Sequence, residues 1–211
     1  MPPSPAVPPP PAGDLDPLVH EWHEPIHRCH ADNRRPTSFN RTAAPGRFRP
    51  VRREGRIVGT LYGAGDVAGS LSETVFRAVP VGPGPKLMAR ALLDSMLLSV
   101  LLPKRPLRLA SLHGSGLRRL GATRAQLIDS EADAYPALAA WGQALHDCAL
   151  RPDGIVWRSR HYDDAYALML FARRVGREDL ELGGPSLALG TGPGFERVLE
   201  LSERARITVL E

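Results

Sequence analysis

The chain has 211 residues, 43% of them apolar, and a formal net charge of +4 from 27 Lys and Arg against 23 Asp and Glu. That length can bury one sizeable core, and no apolar run approaches the roughly 18 residues of a membrane span. Cys29 and Cys148 alone make no disulfide framework, so a reducing cytoplasm is the expected setting, with no membrane partner.

Residues 1–13 (MPPSPAVPPPPAG) carry no basic stretch of the kind that opens a secretory signal. They read as a disordered or polyproline tail. Asp16-Pro17 predicts a short helix running toward Trp22. Ile26 to His30 reads as a strand and Ala31 to Asn40 as a polar loop. Ile57 to Tyr62 (IVGTLY) has the β-branched and aromatic content of a strand. The Gly63–Asp66 turn follows, with Asp66 placed to cap a helix. On that helix Val67, Leu71, Val75 and Ala78 share one face and Glu73 lies on another. Lys86 to Leu102 reads as a helix or a helix–strand pair, and Pro106 to Leu112 as a strand. Gly116 to Leu120 is a short helix. Tyr135 to Ala149 is a longer one, with Leu138, Trp141 and Leu145 on one face. Gly154 to Ser159 and Ala167 to Phe171 are strands. From Gly183 the chain reads as an extension with an amphipathic piece from Phe195 and a last strand, Arg206 to Leu210. Alternating strands and helices followed by shorter pieces predict one α+β domain. The expected divisions are a tail at 1–13, a domain at 14–182 and a C-terminal extension packed on it at 183–211.

Nearly all the basic residues are Arg, whose guanidinium grips phosphate bidentately. The interspersed acidic residues favour an anionic small molecule over nucleic acid as the primary ligand. His23-Glu24-Pro25-Ile26-His27 matches H-E-x-x-H. That motif binds zinc only on a helix, where both histidines share a face. Pro25 inside it costs a helix about 3 kcal/mol, so no metal is expected. Arg28 on a strand, Arg47 in the Gly46-Arg47-Phe48 turn, Tyr62 at a strand end, Glu73 on a helix and Ser159 at a strand end are each unremarkable alone. As a set, they combine an anion grip, a ring, a carboxylate and a hydroxyl.

In order, the set Arg28, GRF (46–48), LY (61–62), SETVF (72–76), GIVWRS (154–159) and LF (170–171) resembles the RES domain family, named for an Arg, a Glu and a Ser. LRRLGATRAQLID (117–129), Tyr135-Pro136, Trp141 and GIVWRSRHYDD (154–164) agree with it. Members often have Gly-Arg-Trp-Asn where this chain has Gly-Arg-Phe-Arg. The resemblance implies an ADP-ribosyltransferase-like fold, with a small mixed β core split around a cleft and helices around it. It also implies a bacterial toxin of a toxin–antitoxin system that consumes NAD⁺. Glu73, Arg28 and Tyr62 would be catalytic, and Arg28, Arg47, Tyr62 and Ser159 would hold NAD⁺. The implied partner is an Xre-type helix-turn-helix antitoxin, through which alone nucleic acid would be contacted. The alternatives are a mono-ADP-ribosyltransferase acting on a protein and a RES-like binding module without turnover.

Overall fold

A computed structural model describes residues 6–211; the first five residues of the expected Pro-rich tail lie outside it. The chain opens with strands β1 (Val19–Trp22), β2 (Ile26–Ala31), β3 (Val51–Arg53), β4 (Arg56–Val58) and β5 (Thr60–Ala64), then helix α1 (Val67–Thr74). Next come β6 (Leu87–Ala89), β7 (Met96–Pro103) and β8 (Leu107–Ser111), followed by α2 (Ser115–Arg119), α3 (Arg124–Leu127) and α4 (Tyr135–Asp147). Strands β9 (Gly154–Arg158), β10 (Tyr166–Phe171), β11 (Leu180–Leu182) and β12 (Leu187–Ala188) precede α5 (Gly192–Ala205) and β13 (Thr208–Leu210).

Nine of the strands form one mixed sheet in the order β1-β8-β9-β10-β5-β2-β7-β11, with β12 also pairing β7. Within this sheet only β8 and β9 run parallel. The expected small core is therefore a large sheet, although pairing thins to a single register pair, His27 with Ala64, between β2 and β5. Alternation along each strand sends successive side chains to opposite faces. One face carries Leu61, Ile26, Val156, Leu168 and Leu101, packed with Trp22, Val175 and Leu180. The other carries all the helices, in two groups. Leu117, Leu127, Leu138, Trp141 and Leu145 of α2–α4 cover Ala110, Ile155, Trp157 and Met169. Leu71 of α1 and Val198 and Leu201 of α5 pack with Leu98.

Local sequence explains most elements. The Asp66 side chain accepts from Gly69 N–H at 2.6 Å and starts α1. Thr123 and Gln126 form a capping box at α3. On α4 the spacing of Leu138, Trp141 and Leu145 buries all three, each contributing about 1.5–3 kcal/mol. Gly142 of α4 lies against the backbone of Phe48, and a Cβ there would overlap the Phe48 carbonyl.

Four expectations need correction. Asp16 to Trp22 forms no helix: Val19–Trp22 pairs with β8 as an edge strand and buries Trp22. Ile57 to Tyr62 is two strands, because β4 pairs with β3 as a hairpin while β5 enters the main sheet next to β10. Lys86 to Leu102 contains β6, a 3-10 turn at Arg90–Leu93 and β7. The run MLLSVLLP is held between β2 and β11, and periodicity cannot tell a buried strand from a buried helix in such a run. Residues 6–13 are no free tail: Val7 packs on the core, and Trp141 Nε1 donates to the Pro8 carbonyl at 2.7 Å, since a buried indole N–H needs an acceptor.

Six histidines, His20, His27, His30, His113, His146 and His161, have their pKa lowered from 6.5, in each case chiefly by burial. The unfolded chain therefore binds more protons than the folded one as pH falls through about 6.5, so stability falls with it. Above that range both states hold these rings neutral and the contribution is flat. The melting temperature is expected to be level from pH 7.5 to 8.5 and distinctly lower at pH 5.5. An unchanged value at pH 5.5 in a calorimeter would count against this.

Candidate active site

The two helix groups leave a cleft between them, over the place where β2 and β5 scarcely pair. It has a volume of about 660 Å³ and is lined by Cys29, Tyr62, Ser70, Glu73, Trp157 and Ala167 at its base. Arg47, Arg49, Arg77, Arg160, Glu131 and Tyr135 stand around it.

Glu73 is half-buried near the end of α1. Its Oε1 accepts from Ser159 Oγ at 2.6 Å and from Arg160 N–H at 3.0 Å. Oε2 accepts no hydrogen bond from any described residue. Ser159 follows β9 and is 0% exposed. Its Oγ also accepts from His161 N–H at 3.1 Å and Tyr162 N–H at 3.0 Å. A hydroxyl has one proton, and here Glu73 takes it. Ser159 therefore cannot donate to a ligand while this bond stands, contrary to the expectation that it binds nicotinamide or ribose directly.

Arg47 comes from the Gly46–Arg49 turn, which closes on itself through paired backbone bonds of 3.1 Å. Phe48 in that turn has φ of 62°, a left-handed conformation that costs a non-glycine residue about 1–2 kcal/mol. Burial of its ring against Trp157, centroids 5.5 Å apart, holds it there. The Arg47 guanidinium donates to Leu127 O at 2.8 Å and Ser130 O at 3.0 Å. Burial lowers its pKa. The Tyr62 hydroxyl donates to the Arg47 carbonyl, and burial pushes that phenol upward, so Tyr62 offers the cleft its ring. Tyr135 has two guanidiniums near its ring: those of Arg47 and Arg77 each stand 5.9 Å from the ring centre, and Arg77 Nη2 donates to its hydroxyl at 2.8 Å. Arg160 pairs with Glu131 and donates to Ser130 O. Cys29 is pushed up to about 12 by burial, so its thiol is no nucleophile at neutral pH.

A model of the RES domain matches residues 23–188 of this chain. The chain belongs to the RES domain family. No curated protein and no solved structure matches it.

Of the RES residues expected at the site, Glu73, Tyr62, Arg47 and Ser159 come together and Arg28 does not. On β2 the cleft side is taken by Cys29, which meets Ser70 of α1. Arg28 points to the opposite face with Ile26 and His30, donates to Pro36 O at 2.5 Å, and is 6% exposed. Burial lowers its pKa to about 10. Its expected place in the cleft is thus corrected by strand alternation. Arg49, Arg77, Arg160 and Tyr135 were not singled out for the anion grip; the crowd of arginines gave no local sign of which would converge. His23 and Glu24 of the HEPIH segment sit in the turn between β1 and β2, and His27 is on β2, so the two histidines share no helix face. No helix among the described residues is long and apolar enough to cross a membrane.

Proposed function

We propose that this RES protein consumes NAD⁺ by breaking its nicotinamide–ribose bond, as an NAD⁺ glycohydrolase or phosphorylase and the toxin of a toxin–antitoxin pair. The observation that carries the reading is Glu73: a carboxylate with one oxygen fixed by Ser159 and Arg160, the other free, in a cleft whose remaining charge is mainly guanidinium. The bonding electrons leave with nicotinamide, which departs neutral and needs no acid. The ribose becomes oxocarbenium-like, and the Glu73 carboxylate stabilises that charge. Ser159 positions Glu73. Arg47, Arg77 and Arg160 are suited to the pyrophosphate, and the rings of Tyr62 and Tyr135 to the flat parts of the ligand. Water then adds to the ribosyl carbon and loses a proton, giving ADP-ribose; phosphate would give the 1-phosphate instead. The ADP-ribosyltransferase-like fold implied by the family suits the same chemistry.

An enzyme that drains cytoplasmic NAD⁺ must be restrained. A guanidinium-lined cleft invites an acidic segment, so the partner is an Xre-type antitoxin whose C-terminal region occludes the cleft. The test is nicotinamide release from NAD⁺ by the purified chain. Label from the ADP-ribose half that stays on protein would point to a mono-ADP-ribosyltransferase. No release under any acceptor condition would leave a binding module and overturn the reading.

The position of Arg28 sets a further expectation. Arg28→Lys loses a buried hydrogen bond worth about 1 kcal/mol and should lower the melting temperature by a few degrees, leaving KM for NAD⁺ nearly unchanged. Arg77→Lys should do the reverse, since it keeps charge but loses the bidentate fork. A tenfold rise in KM for the Arg28 variant at unchanged stability would return that residue to the site.

A further inference from the structure

A second pocket of about 330 Å³ adjoins the cleft, formed by Phe76, Lys86, Leu201, Arg204, Ala205 and Ile207, among others. The two share Val79, Pro80, Val81 and His161 as walls. Glu73 faces the first and its neighbour Ser72 lines the second, as the angular step between successive residues near the end of a helix allows. Four of the second pocket's residues, Leu201, Arg204, Ala205 and Ile207, lie beyond the residues matched by the family, which end at 188. They come from the end of α5 and the segment after it. That end is held in place by β13, which pairs in parallel with β6, and by Lys86 Nζ, which donates to Ala205 O at 3.3 Å.

We propose that this second pocket receives the adenosine 5′-phosphate half of the dinucleotide, so that the C-terminal helix sets a preference for dinucleotides over mononucleotides. The inference rests on the NAD⁺ reading above. A dinucleotide is two nucleosides joined by a pyrophosphate, and it needs two compartments bridged by cations. The cleft supplies one, with Glu73 at the reacting ribose. The other has the apolar walls that a purine face requires, Phe76, Leu201 and Ile207. Lys86 supplies positive charge for the phosphate, while Arg204 at its edge is paired with Glu200 at 2.7 Å. Both volumes lie within the range of about 300–1,000 Å³ usual for ligand pockets. Binding energy from this remote half can be used to position the reacting half.

The experiment compares NAD⁺ with nicotinamide mononucleotide as substrates of the whole chain, together with calorimetric binding of AMP. The wild-type chain should favour NAD⁺ by about 10²-fold in kcat/KM. Ala205→Trp, which fills the pocket, and Lys86→Met, which removes a cation, should each cut kcat/KM for NAD⁺ roughly tenfold or more while mononucleotide turnover stays within about twofold. AMP binding should weaken in parallel. Equal use of the two substrates by the wild type, or equal loss on both in the variants, overturns the proposal. If neither substrate is cleaved, the NAD⁺ reading fails. In that case AMP binding that is lost in both variants still supports the pocket, and absent AMP binding overturns it.

Discussion

Glu73→Gln is expected to lower kcat for nicotinamide release by about 10²–10³-fold with little change in KM, in line with the loss of a preorganised electrostatic group. Glutamine keeps the length and shape. Its carbonyl oxygen can still accept from Ser159 Oγ and Arg160 N–H, which both bond Oε1 in the native site. The amide nitrogen then occupies the place of Oε2 and turns a partial positive charge toward the carbon where positive charge develops. The arginines are untouched, so ground-state binding persists, and the fold should melt at an unchanged temperature. Ser159→Ala should cost less, about tenfold, because Arg160 N–H still holds the carboxylate, although the His161 and Tyr162 N–H groups lose their acceptor as well. Single-turnover measurement of nicotinamide separates the chemical step from release. Near-normal turnover in the glutamine variant would remove Glu73 from the mechanism.

Gly142→Ala is expected to cost about 2–3 kcal/mol, lowering the melting temperature by on the order of 5–10 °C. Alanine is the better helix former, so propensity alone predicts a gain at this position in α4. The added carbon would overlap the Phe48 carbonyl, which is backbone and cannot swing aside. Either α4 shifts off the sheet or the Gly46–Arg49 turn moves. The second response displaces Arg47, whose carbonyl receives the Tyr62 hydroxyl, so activity should fall along with stability. A variant that is more stable than wild type would show that the helix and the turn are less closely fitted than described.

The sequence told most about pieces whose signal is local. Asp66 before α1, the α4 stripe and, to within a residue, the strands ending at Arg158 and Phe171 were all legible. Glu73 and Ser159 could be named as site residues only through the family resemblance, and their bond to each other was not foreseen, since no pattern within α1 or β9 says that one will bond the other. The face of a strand is a different kind of information. Ile26, Arg28 and His30 must share a side of β2, but only the packing of α1 against Cys29 decides that theirs is the side away from the cleft. The apolar run of β7 looked the same as a buried helix until its neighbours β2 and β11 were in place. Arg77 and Arg160 both line the cleft because of topology, and among so many arginines nothing nearby distinguishes them.

The strand order also determines when the site can exist during synthesis. Tyr62 is registered against Met169, and Arg28 against Ser99. Sheets built from such distant partners fold slowly, because loop-closure entropy is lost before the contacts form. On a ribosome adding about 5–20 residues per second, Glu73 emerges well before Ser159 and Arg160, the groups that fix it. A nascent chain that has not reached Phe171 lacks β10, the strand between β9 and β5, and so has no complete cleft. The fold itself therefore delays completion of the cleft until synthesis is well advanced.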